Sequence, residues 1–356
     1  MRSGGSICLR GSKETKRIEA DVDRVNEQVV LAERPTTILL PTTTRLESTP
    51  APVPKDGEAL VEVGYLSIDP TIRTWMDDAP GYLPPIGIGE VVRSGGIGTV
   101  IESNSPRYNV GDLVFGTVGW QRYAIAGQGQ QAMTVIPAGV DPLLAINVLG
   151  VTGLTAYFGM TDVGHIKQGD VVVVSGAAGA TGSSAGQIAK ILGAKTVIGI
   201  AGSADKCALL TNELGYDVAI NYKTDNVAAA LRAAAPKGVD LFFDNVGGDI
   251  LDTVLAQLAM RGRVVLCGAI SQYTTPGRPQ GPANYLNLII KRGSMEGFII
   301  LDYADRYGEA QGQLLTWLLE GKLHHAEHVL DGLERAPEGL NLLFTGGNTG
   351  KVIVRL

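Results

Sequence analysis

The stretch VVVVSGAAGATGS, residues 171–183, decides how the rest of the chain is read. Its four valines run without polar alternation, as expected of a parallel strand buried on both faces. Gly176, Gly179 and Gly182 follow, and a helix-patterned stretch continues to Leu192. Glycines at such a strand-to-helix turn let backbone N–H groups approach a pyrophosphate, whose charge the helix N-terminus stabilises. A glycine-rich string alone also fits a purely structural junction. Its surroundings decide between the two.

Those surroundings repeat one rhythm. Strand-like Thr196 to Ile200 precedes helix-like Ala204 to Glu213, and Asp217 to Asn221 precedes Asn226 to Ala235. Val239 to Asp244 then leads into a helix over Asp249 to Met260, and Arg263 to Gly268 is the next strand. Repeated β-α-β units imply an α/β fold, a Rossmann doubly wound parallel sheet. A long helix over Ala304 to Leu319 and a short strand-like tail, KVIVRL, end the chain.

Upstream of Leu149 the pattern changes. Short β-branched or alternating runs at Val29–Leu31, Glu58–Val63, Gly98–Glu102 and Leu113–Val118 lie between turn residues, while PTTTRLESTPAPVPKDG (41–57) is loop-like. This is the pattern of a compact barrel or sandwich. The C-terminal strand shares its character and is expected to return to it. At about 150 residues per domain, two domains are expected. One is β-rich, from residues 21–147 and 320–356; the other binds nucleotide, from residues 148–319. The first twenty residues read as a disordered tail, a targeting arm being the other reading.

Hydrophobic residues make up 45% and charged residues 19%, which suits a soluble globular protein and excludes intrinsic disorder. A net charge of −6 argues against capture of nucleic acid or an anionic membrane. No run reads as a membrane span or a secretory core, so a cytoplasmic protein is expected. Cys8, Cys207 and Cys267 are scattered, which suits a reducing compartment and offers no thiolate cage. His324 or His325 with His328 has helical spacing but no HExxH pattern, so no metal site is expected.

Two other motifs compete for the glycine region. Gly182-Ser-Ser-Ala-Gly186 matches a nucleophile elbow, but that elbow needs its serine on the turn directly after a strand. Ser184 lies nine residues past Ser175, inside the expected helix. A Walker A loop needs Gly-Lys-Ser/Thr, and Gly182 is followed by Ser183. The end of the second strand then chooses the dinucleotide. NAD binding favours a carboxylate there, on the ribose 2′-OH. The chain instead has Ile200-Ala-Gly-Ser203 followed by Lys206, which suits the 2′-phosphate of NADP(H).

Read together, several separated motifs resemble the zinc-independent medium-chain dehydrogenase/reductases, and within them the prostaglandin reductase and plant double-bond (2-alkenal) reductase group. They are YLSIDPTIR (65–73), GEVVRSGGIGTV (89–100), SGAAGATGS (175–183), NYK (221–223), FDNVGG (243–248), CGAISQY (267–273), MEGFII (295–300) and GGNTGK (346–351). The resemblance implies a GroES-like β-rich domain beside the Rossmann domain, and a homodimer. It places Gly179, Ala180, Thr181, Gly182 and Ser183 along the pyrophosphate, and Ser203, Lys206 and Tyr222 around the 2′-phosphate. Asn245, Cys267, Gly268, Ala269, Ile270, Ser271, Phe298, Ile299, Ile300 and Asn348 would line the ribose and nicotinamide. Zinc members use a Gly-His-Glu segment and a four-cysteine lobe; here Ile88-Gly-Glu90 has no histidine and no cysteine cluster exists.

The implied activity is NADPH-dependent reduction of the C=C bond of α,β-unsaturated ketones or aldehydes. Without a metal, a hydrogen-bond donor must meet the negative charge that develops on the carbonyl oxygen. A neutral phenol can do so, and Tyr273 is the candidate, with the cofactor ribose hydroxyl as the alternative donor. Tyr65 is either a pocket residue or a packing residue. Thr71 stands where many relatives carry an aromatic residue, which bears on substrate shape. An NADPH:quinone oxidoreductase and a non-catalytic NADPH-binding protein are the competing readings.

Overall fold

The computed structural model describes residues 24–277 and 279–356, so the expected N-terminal tail lies outside the described residues. β1 (Val25–Leu31) and β2 (Thr44–Pro50) pair as an antiparallel ribbon. A second sheet takes β3 (Ala59–Ile68), β4 (Gly95–Ser103), β5 (Leu113–Thr117), β6 (Tyr123–Ala126) and β7 (Thr134–Val135). The third consists of β8 (Val171–Ser175), β9 (Thr196–Ala201), β10 (Val218–Asn221), β11 (Val239–Asp244), β12 (Leu258–Leu266) and β13 (Ser294–Gly297). β14 (Glu327–Asp331) and β15 (Lys351–Arg355) end the chain.

The third sheet is parallel throughout, in the order β10-β9-β8-β11-β12-β13. The chain winds outward from β8 to one edge, then crosses back and winds outward from β11 to the other. Ligands of such sheets bind beyond the carboxyl ends of the strands at that point of reversal. Val172, Val173, Val174, Phe242 and Phe243 on the two central strands are fully buried. Removing one such side chain from water contributes about 1.5–3 kcal/mol. The helices Ala180–Ile191 and Tyr307–Leu319 cover one face, and Val227–Ala234 and Gly248–Leu255 cover the other.

β15 does return to the N-terminal sheet, antiparallel to β3 and parallel to β14. Lys351 is buried there, its ammonium donating to the Ile68 carbonyl and the Asp69 carboxylate. Val352 and Val354 join Leu66 and Ile68 in one core cluster.

Three local expectations are corrected. Thr44–Pro50, read as loop, is a strand. All of its residues are exposed or half-buried, so it carries no apolar alternation. The helix expected to reach Met260 ends at Leu255, and Leu258 already pairs with Val239. Leu258 and Ala259 are apolar and fit either element; β12 runs on from them to the expected strand at Arg263 through an irregularity at Arg261, whose φ is 63°. The helix expected from Ala304 begins with a tighter turn over Ile300–Arg306 and is α-helical from Tyr307.

Candidate active site

The glycine turn leaves β8 through Gly176, whose φ of 57° suits a residue without a Cβ. Gly179 stands at the N-cap of the helix Ala180–Ile191 and no side chain caps its first turn. The N–H groups of Ala180, Thr181 and Gly182 are therefore left for an anion. A Cβ on Gly182 would sit 2.3 Å from the Gly176 carbonyl oxygen, so only glycine brings the helix this close to the turn. Ser183 and Ser184 both donate to the Ala180 carbonyl, at 3.0 and 3.3 Å. Ser184 lies within the helix, away from any sharp strand-to-helix corner. The C-terminal segment reaches the same turn: Gly350 N–H donates to Ala178 at 2.9 Å, and buried Asn348 braces it by donating to the Gly350 carbonyl at 3.0 Å.

At the end of β9, Ser203 caps the helix Ala204–Asn212 by accepting the Lys206 N–H at 3.3 Å. The Lys206 ammonium donates to the Gly346 carbonyl at 3.0 Å. Burial, and then the nearby Lys223 charge, push its pKa down. Tyr222 lies over Gly202, where an added Cβ would meet its ring at 2.8 Å, and Lys223 stands 6.0 Å from the ring centroid. The Lys206 and Lys223 ammonium groups lie within electrostatic reach of each other, and a dianion between them would relieve that repulsion. Lys223 was visible only as part of the NYK motif.

At the end of β11, Asn245 bridges the point of reversal. Its side-chain N–H donates to the Ser175 carbonyl at 2.7 Å, and its backbone N–H donates to Ser175 Oγ at 2.8 Å. Cys267 follows β12, and burial, reinforced by Asp244, pushes its thiol up to about 12, so it remains a neutral packing group. The turn through Gly268, Ala269, Ile270 and Ser271 ends at Tyr273, whose oxygen accepts the Ala269 N–H at 3.0 Å. Burial of Tyr273 pushes its pKa up, against the Ala269 bond, with Cys267, Tyr82 and Asp244 adding to the rise. The phenol therefore keeps its proton at neutral pH. With its oxygen already accepting from Ala269, that proton is available to an acceptor.

Phe298, Ile299 and Ile300 leave β13. Phe298 meets Tyr303 edge-on at 6.2 Å, and the Ile300 carbonyl accepts the Tyr307 hydroxyl at 3.0 Å. The residues expected at the cofactor, apart from Asn348, all follow carboxyl ends of the parallel strands. Tyr65 does not join them through any described polar contact. It packs beside Ile97, Ile136, Ile146 and Ile353 on the β-rich sheet.

Sequence reasoning passed over Ser175 and Asp244, which end β8 and β11, and Tyr82, whose phenol lies within electrostatic reach of Tyr273. Tyr82 belongs to a cavity of about 180 Å³ lined by Trp75, Pro80, Leu83 and Pro85 among others. A polar residue ending an all-apolar strand, as Asp244 does in VDLFFD, was the available signal.

A 3-2-1-4-5-6 sheet with an uncapped glycine turn at its reversal point defines a dinucleotide-binding fold. Comparison with known proteins narrows the class. A profile described as the N-terminal domain of oxidoreductase matches residues 27–135, and one described as zinc-binding dehydrogenase matches residues 180–316. Among the described residues, no group of three or more His, Cys, Asp or Glu could hold a metal ion. The YfmJ protein of Bacillus subtilis is 43% identical over 334 residues, 93% of this chain and 97% of its own length. The NADPH-dependent curcumin reductase of Escherichia coli is 40% identical over 336 residues, with the same two coverages. A 2-alkenal reductase (NADP(+)-dependent) of Nicotiana tabacum is 39% identical over 300 residues, 84% of this chain and 87% of its own. The crystal structure of CurA from Vibrio vulnificus in complex with NADPH superposes with a TM-score of 0.87 at 40% identity, covering 92% of this chain and 98% of that one. The chain belongs to the medium-chain dehydrogenase/reductases, in their zinc-independent group, and is an oxidoreductase.

No helix among the described residues is long and apolar enough to cross a membrane.

Proposed function

We propose that this protein uses NADPH to reduce the C=C bond of α,β-unsaturated ketones and aldehydes. The observation that carries the reading is the Tyr273 hydroxyl, kept protonated by burial and held by the Ala269 N–H beside the Asn245 turn. NADPH, when bound, would supply a hydride to the β carbon of the substrate, and a proton from solvent at the α carbon would complete the saturated carbonyl. The residues of the chain do the rest. Tyr273 donates to the carbonyl oxygen as negative charge develops there, and Asn245 shapes the nicotinamide side of the cleft. The first-turn N–H groups of Ala180–Ile191 hold the pyrophosphate, and Lys206 with Lys223 holds the 2′-phosphate. The similar curcumin and 2-alkenal reductases support the substrate class.

The test is NADPH oxidation against a panel of enones, alkenals, quinones and saturated ketones. Turnover confined to conjugated C=C substrates is expected; turnover of quinones alone would move the protein to another reaction. Lys206→Ala should weaken NADPH about ten- to hundredfold, since a hydrogen bond to a charged group contributes about 1.5–3 kcal/mol, and leave NADH binding unchanged. Equal losses for both cofactors would remove Lys206 from the 2′-phosphate. A cytoplasmic homodimer belongs to the same reading. Among the described residues β13 has a neighbouring strand on one side only, and the short helix leading into it exposes Ile289 and Ile290. A monomeric mass in light scattering would contradict it.

A further inference from the structure

The turns that carry Asn245 and Tyr273 are tied together by a buried pair that the reduction itself does not consume. Ser175 and Asp244, the last residues of β8 and β11, are fully buried. Ser175 Oγ donates to Asp244 Oδ1 at 2.6 Å and accepts the Asn245 N–H at 2.8 Å. The same carboxylate accepts the N–H of Val246 at 3.0 Å, and its two oxygens accept that of Gly247 at 3.1 and 3.0 Å. Every group bonded to the carboxylate is a donor, so the position requires an acceptor-only side chain.

The bonding continues through the main chain. The Asp244 carbonyl accepts the N–H groups of Cys267 and Gly268 at 2.9 and 3.1 Å. Asn245 accepts that of Ile270 at 3.2 Å, and Val246 accepts the N–H and hydroxyl of Ser271 at 3.1 and 2.6 Å. Four of the first five residues of the Tyr273 turn therefore hang on Asp244–Val246. That segment hangs in turn on Ser175, the residue before the glycine turn. A buried charged group contributes little net stability, and fixing one geometry is a better-attested use for it.

We infer that Ser175 and Asp244 are a positioning pair that sets the Tyr273 hydroxyl relative to the glycine turn. The inference rests on the role proposed for Tyr273. In the full chain, Ser175→Ala should speed amide exchange in residues 267–273 about tenfold while β9 and β10 keep their protection. It should lower kcat about tenfold with the NADPH KM within about twofold. Combined with Tyr273→Phe it should cost less than about twofold more, because no hydroxyl remains to misplace. Asp244→Asn should repeat the pattern. Unchanged exchange in that turn, or the same loss in both backgrounds, would overturn the inference. If Tyr273→Phe alone keeps its rate, the catalytic reading falls, and the exchange data still decide whether the pair holds the turn.

Discussion

Tyr273→Phe is expected to lower kcat for an enone about 10²- to 10³-fold, the loss usual when one donor to a developing oxyanion is removed. The NADPH dissociation constant should stay within about threefold, because the substitution deletes one oxygen and keeps the ring. The expectation follows from how the phenol is held. Its oxygen accepts the Ala269 N–H at 3.0 Å, which fixes the oxygen and leaves the O–H free to donate. Burial pushes the pKa up, so the group enters the reaction as a donor across the ordinary pH range. The pre-steady-state rate of NADPH oxidation separates this loss from slow product release. A full rate in the variant would transfer the role to the cofactor's ribose hydroxyl.

How much of this was legible before the structure depends on distance along the chain. Val171–Ser175 and the glycine turn could be read because a buried parallel strand and its glycines are contiguous. Asn245 could be read as a polar residue closing an apolar run. The Ser175–Asp244 bond spans 69 residues and the Lys206–Gly346 bond spans 140, and neither leaves a periodic trace. The role of Gly186 was hidden for the same reason. With Gly182 it looks like an arm of a nucleophile elbow, yet it exists to clear Tyr216, whose ring a Cβ would meet at 2.0 Å. β2 escaped because a largely exposed ribbon has no apolar face to announce it. Local pattern thus exposed the sheet and the cofactor turn, while the contacts that join one turn to another arise only once the chain has folded.

Gly182→Ala offers the sharpest check on the cofactor turn, because helix propensity and tertiary contact give it opposite signs. Within a free helix the change stabilises by about 1 kcal/mol. Here the new Cβ would stand 2.3 Å from the Gly176 oxygen and 2.8 Å from Ala177 Cα, both backbone atoms that no side-chain rotation can clear. The helix Ala180–Ile191 must back away, carrying its first-turn N–H groups from the pyrophosphate and stretching the 2.6 Å bond from the Tyr216 hydroxyl to the Gly182 carbonyl. Overpacking of this kind costs about 1–3 kcal/mol. The expected result is a lower melting temperature together with loss of the rise that saturating NADPH produces in the parent protein. Gly312→Ala is the matched control. It lies exposed within the helix Tyr307–Leu319, an added Cβ meets nothing within 4 Å, and the same exchange should raise stability by about 1 kcal/mol. A Gly182→Ala protein that melts as high as Gly312→Ala and still gains stability from NADPH would show that the close approach of helix and turn is not what holds the cofactor.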